Sequence, residues 1–160
     1  MRFGLWALIV LSFTMGLVTA TTLSDSTIQF PSSPLSLQGA ERIGPQDWIS
    51  QEQILVTQEK VEINIQGAQW ARFAPTGSMK PVLDQGAYGI QIIPEKPEQL
   101  QIGDIITYDY NGRKIIHRIV DIQQDSQGYY YTLKGDNNPT PDPVKVRFED
   151  IERVLVAIIY

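Results

Sequence analysis

Cysteine is absent from the chain, histidine occurs once, and Lys and Arg together number 13 against 18 Asp and Glu. Each shortage removes a class of chemistry. Without cysteine there is no disulfide framework, no thiolate metal site and no thiol nucleophile. With one histidine, a metal centre would have to be built mostly from carboxylates, and no Asp/Glu spacing suggests one. No motif calls for a cofactor. A formal net charge of −5, with the basic residues scattered, leaves no positive stripe to follow a phosphate backbone, so nucleic acid is not an expected partner. Long, periodic, capped helical stretches are also missing after residue 45.

The 160 residues suffice for one domain with its own core. Met1-Arg2 is followed by an uncharged apolar run over residues 3–20, "FGLWALIVLSFTMGLVTA". As a helix it would reach roughly 27 Å, close to the thickness of a bilayer's hydrocarbon core. Two readings follow. One is a single-pass anchor with Arg2 on the cytoplasmic side. The other is a signal peptide cleaved near Ala20, where Val18-Thr19-Ala20 has the small-residue pattern. Both place the remainder outside the cytoplasm, membrane-bound or secreted. Residues 21–45 are rich in Ser, Thr and Pro and read as an irregular lead-in.

From residue 46 the pattern is that of a mainly β domain. "KVEINIQ" alternates Val61, Ile63 and Ile65 with polar residues, which predicts a half-buried strand. "AYGIQIIP" and "GDIITYDY" are short strands bounded by Pro94 and Gly103. Asn111-Gly112, which tolerates the positive φ of a type I′ turn, predicts a hairpin joining "ITYDY" to "RKIIHRIV". A second hairpin follows, with "QQDSQG" returning "HRIVDI" into "YYYTLK", and "RVLVAIIY" is apolar enough for a buried strand. "PQDWISQEQIL" can supply a short helical turn. The expectation is a single antiparallel, coiled or barrel-like sheet over residues 46–160, preceded by the apolar helix.

Three places carry groups suited to chemistry. Ser78 lies in "PTGSMKP", after a glycine that permits close backbone approach and two residues beyond the Thr76 hydroxyl. A serine hydroxyl becomes a nucleophile only with a base to take its proton and donors for the oxyanion. Taken alone, Thr-Gly-Ser is more often simply a surface turn. His117 falls on one strand face with Ile115 and Ile119, where it is partly desolvated and placed to accept a proton near neutral pH; a histidine bonded to a backbone carbonyl fits the same pattern. "KGDNNPTPDP" holds Asp136 and Asp142 in a loop stiffened by three prolines. Either could accept from the second ring nitrogen of a catalytic histidine, and either could be turn chemistry.

In order, the elements resemble one family: type I signal peptidases, in the archaeal and endoplasmic-reticulum branch that uses Ser, His and Asp. The family's "GSMxP" box corresponds to Gly77–Pro81, its "GDIV" strand to Gly103–Ile106, and its "HR" box to His117-Arg118. Its "KGDNN" box corresponds to Lys134–Asn138, followed by Asp142 six residues after Asp136. The resemblance covers roughly residues 75–160. It implies a coiled β-sheet catalytic domain behind an N-terminal membrane segment and a preprotein or peptide substrate cleaved after small residues. It implies Ser78 as nucleophile, His117 as general base and Asp142 as the carboxylate orienting His117. Asp136 would be a second, supporting aspartate, and Ser78 N–H with the Thr76 hydroxyl would form the oxyanion hole. Lys80 departs from the family, standing where an acidic or apolar residue is usual after "GSM". Side chains at i and i+2 share a face in an extended segment, so it could reach the Ser78 site, but a solvated Lys80 is the expectation. Residues 21–60 have no counterpart in it. Two other readings use the same fold: an extracytoplasmic binding or assembly module with altered catalysis, and a self-processing peptidase that uses lysine as its base.

Overall fold

The computed structural model describes residues 43–160. The apolar run 3–20 and most of the lead-in 21–45 lie outside the described residues. Among the described residues no helix is long and apolar enough to cross a membrane.

Nine strands form. β1 (Ile54–Val56) and β2 (Val61–Ile63) make a small separate hairpin, pairing Ile54 with Ile63 and Val56 with Val61. The other seven, β3 (Gln69–Arg72), β4 (Tyr88–Ile92), β5 (Ile105–Tyr110), β6 (Arg113–Asp125), β7 (Gly128–Lys134), β8 (Val146–Arg147) and β9 (Ile151–Ile159), make one antiparallel sheet in the order β3-β4-β9-β5-β6-β7-β8. The mainly β, antiparallel reading of the sequence therefore holds. Gln51–Gln53 forms the one short helical turn foreseen near there.

The half-buried strand expected at "KVEINIQ" needs correction. Only Val61–Ile63 is a strand, and every residue of β1 and β2 is exposed. Alternation reports that two faces differ in polarity; whether a layer packs on the apolar face depends on the rest of the chain.

The main sheet is built as its turns demand. Asn111 and Gly112 adopt φ of 54° and 75°, the paired positive values of a I′ turn, between β5 and β6. Consecutive strand residues point to opposite faces, and β5 and β9 are covered on both. Ile106, Tyr108 and Val154 join a cluster with Leu100, Ile119, Tyr131, Leu133 and Val146. Ile105 and Leu155 join Met79 and Leu83 in a second cluster. Fully burying side chains of this size is worth about 1.5–3 kcal/mol each, so these two strands are the spine of the domain.

The entry segment is fastened to the start of β5. Asp104 is fully buried, and its Oδ1 accepts from Gln46 N–H at 3.1 Å and Trp48 Nε1–H at 3.0 Å, while Oδ2 accepts from Gln101 N–H at 2.9 Å. Gly103 has φ of 104°, and a β-carbon there would lie 2.0 Å from the Gly44 carbonyl oxygen. The Gly-Asp pair thus lets residues 43–48 cross closely and then clamps them.

Candidate active site

The serine turn leaves β3 and is anchored from beneath. Gly77 takes φ of 72°, and Met79, 3% exposed, plugs into Leu83, Ile105 and Leu155. Met79 carbonyl accepts from Leu83 N–H at 2.9 Å, closing one helical turn past Ser78. From the other side the 135–142 loop holds the same turn. Asn137 N–H donates to the Ser78 carbonyl at 2.8 Å, Asn137 Nδ2 donates to the Gly77 carbonyl at 3.1 Å, and Asp136 N–H meets Met79 Sδ at 3.5 Å. Ser78 is therefore a half-buried residue between a hydrophobic plug and a hydrogen-bonded clamp. Its hydroxyl lies 3.2 Å from Thr76 Oγ1, and its N–H donates to that same oxygen at 3.4 Å.

His117 lies on β6 opposite Ile106 of β5, 7% exposed, beside the buried Ile119. Its Nδ1 is 2.7 Å from Asp142 Oδ2. An ionised carboxylate only accepts, so Nδ1 carries the proton and Nε2 of the neutral ring is left as the acceptor. Asp142 is held from behind: its N–H donates to the Leu133 carbonyl at 2.8 Å, and the Tyr108 hydroxyl donates to Oδ2 at 2.8 Å. Burial, and then the hydrogen bond to this carboxylate, push the Tyr108 phenol well above its ordinary range, so it remains a donor.

Of the two aspartates that the sequence offered as partners of His117, the fold pairs Asp142 with it. Asp136 accepts a bidentate fork from the neighbouring Arg118, Nε to Oδ1 at 2.8 Å and Nη2 to Oδ2 at 2.7 Å; Arg118 Nη1 also donates to the Gly103 carbonyl at 2.7 Å. Both side chains are largely withdrawn from solvent, 13% and 6% exposed.

Ser78, Thr76 and His117 line one cleft of about 430 Å³. Its walls come from Ala71, Phe73 and Ala74 on one side and Ile115 and Ile116 on the other, with Gln91 and Thr107 joined by a 2.7 Å hydrogen bond along it. Lys80 does not enter it: its ammonium pairs with Asp84 Oδ2 at 3.0 Å, one helical turn on, and its stem lies beside Gly77.

Three contributors escaped sequence reasoning. Tyr108 had a signal, since a phenol at an apolar position of a buried strand needs a partner for its hydroxyl. Gly135 and Asn137 sit inside a motif that read as turn chemistry, and their role emerges only when the serine turn is laid against them.

Comparison with known proteins finds likeness to signal peptidases. The chain is 32% identical over 77 residues to Signal peptidase I W of Bacillus subtilis, a stretch covering 48% of this chain and 40% of that protein. It is also 32% identical over 69 residues to the signal peptidase complex catalytic subunits of Scheffersomyces stipitis and Candida albicans, covering 42% of this chain and 40% of each relative. The likeness thus spans less than half of the relatives it matches. No protein-family model and no solved structure matches the chain.

Proposed function

We propose that the chain is a signal-peptidase-like serine endopeptidase that hydrolyses an extended segment of a preprotein or peptide after a small residue. The observation carrying this reading is the 2.7 Å contact between His117 Nδ1 and Asp142 Oδ2, with His117 opening onto the cleft that also holds Ser78. The likeness to signal peptidases supports the same reading at the level of the family.

In this mechanism the Ser78 hydroxyl, which is hydrogen-bonded to Thr76 Oγ1 and not to His117 in this structure, turns toward His117 Nε2 when substrate binds. Ser78 Oγ attacks the scissile carbonyl as its proton passes to Nε2, and Asp142 stabilises the imidazolium. Ser78 N–H and the Thr76 hydroxyl, 3.4 Å apart, donate to the oxyanion. The imidazolium then protonates the departing amine, leaving an ester on Ser78. Water, deprotonated by the same nitrogen, cleaves that ester and restores the serine. Asp136 acts through structure, holding Arg118 and the loop that clamps the serine turn.

The substrate's place follows from strand pairing. β7 pairs with β6 only from Arg118 onward, so residues 113–117 of β6 are bonded to β5 on one side and, among the described residues, carry an open edge on the other. An extended peptide can add to that edge beside His117, and walls of Ala71, Ala74 and Ile116 admit small side chains beside the scissile bond. Residues 3–20 would anchor the domain at the membrane, with the catalytic face outside the cytoplasm.

The test is turnover of a preprotein or small-residue peptide by the full chain, alongside Ser78→Ala, His117→Ala and Asp142→Ala. Turnover should fall at least about a thousandfold in each. Equal turnover by all four proteins would sink the reading.

A further inference from the structure

Among the described residues, the buried hydroxyl of Tyr108 is the one side-chain group bound to the Asp142 carboxylate that the mechanism above leaves unused. Both Tyr108 Oη and His117 Nδ1 address the same oxygen, Asp142 Oδ2, at 2.8 and 2.7 Å. The register accounts for their meeting. Ile106 faces His117 across the β5–β6 ladder and Tyr108 faces Ile115, so Tyr108 is the diagonal neighbour of His117 on one sheet face. Tyr108 is 1% exposed and wedged in the main core cluster, so its hydroxyl has a fixed origin. Asp142, by contrast, belongs to a loop. A carboxylate on a loop needs a second restraint if one of its oxygens is to stay aimed at an imidazole, and a phenol on a central strand supplies it.

We propose that Tyr108 is a positioning residue for the peptidase reaction: it pins Asp142 so that Oδ2 stays directed at His117 Nδ1 through both proton transfers. The inference rests on the peptidase reading above. Arg118, next to His117 in the chain, does not compete for the task, because its fork is occupied by Asp136 and the Gly103 carbonyl.

Tyr108→Phe keeps the ring and removes only the hydroxyl. kcat should fall about ten- to a hundredfold with KM within about twofold, the range seen when an outer hydrogen bond orienting a catalytic group is lost. In an Asp142→Asn background the same change should cost nothing further, because Tyr108 acts through that carboxylate. A second readout needs no turnover. With one histidine in the chain, the imidazole Nδ1–H gives a single NMR resonance that can be followed in Ser78→Ala protein. It should exchange faster with solvent in Tyr108→Phe and be lost in Asp142→Asn, where the slowly exchanging Tyr108 hydroxyl proton should disappear as well. That last observation keeps the test alive if the phenylalanine variant does not fold. An unchanged Nδ1–H resonance in folded Tyr108→Phe, or an equal fold-loss of kcat in both backgrounds, overturns the role of Tyr108 and leaves the peptidase reading standing. Equal turnover by wild type and Ser78→Ala overturns the peptidase reading itself.

Discussion

Gly135 packs directly against the backbone of Ser78: a β-carbon at Gly135 would stand 2.6 Å from the Ser78 carbonyl oxygen and 2.7 Å from Asn138 Nδ2. The first is backbone and cannot step aside without moving the serine. Gly135→Ala should therefore displace Ser78 by a fraction of an ångström to an ångström. Turnover is expected to fall about a hundredfold, with the far-ultraviolet circular dichroism of a β domain unchanged. Full activity in that variant would show that the clamp is looser than its contacts indicate.

Asp136 and Asp142, six residues apart, should fail in different ways. Asp136→Asn removes the charge from a buried bidentate pair and strands Arg118, which costs about 3–5 kcal/mol of stability. Asp142→Asn should lower turnover by about four orders of magnitude, as expected when a catalytic histidine loses the carboxylate that sets its tautomer, and cost less stability than Asp136→Asn. Denaturant melts and steady-state rates on the two variants separate these outcomes.

Lys80 is tied to Asp84, with half of its side chain exposed. Lys80→Ala should leave kcat within about twofold and shift stability by no more than about 0.5 kcal/mol, the usual size of an exposed helical-turn pair. Loss of turnover in Lys80→Ala, with His117→Ala still active, would instead favour lysine as the base.

Stability should fall steeply on the alkaline side. Tyr131 is fully buried, and that burial, followed by the nearby charge of Glu98, pushes its phenol up to about 12. A group whose pKa is raised by folding contributes its full stability below the unfolded value, near 10, and loses it as pH climbs through the folded value. Melting temperature should thus drop between about pH 10 and 12, and Tyr131→Phe should flatten part of that slope, with Tyr108, raised for the same reason, supplying more of it.

Much of the candidate site could be read along the chain because its signals are local. Ser78 follows a glycine that takes positive φ, and His117 alternates with isoleucines on a strand whose burial that alternation foretold. Asn111-Gly112 specified its hairpin because a I′ turn needs two residues tolerant of positive φ, whatever lies elsewhere. The exposed β1–β2 hairpin marks the limit of such reading: the alternation around β2 is as regular as that of β6, but among the described residues no second layer covers it.

By itself, then, the sequence determined a β domain and its turns, and singled out Ser78 and His117 as candidates, since φ preference and period-2 polarity are properties of a residue and its near neighbours. Which aspartate pairs with His117, that Asp136 is spent on Arg118, and that Tyr108 and Gly135 belong to the candidate site were decided by tertiary structure. Those contacts join groups up to 57 positions apart, as between Gly135 and Ser78. They arise from strand order and register, which depend on how the whole sheet buries its two faces.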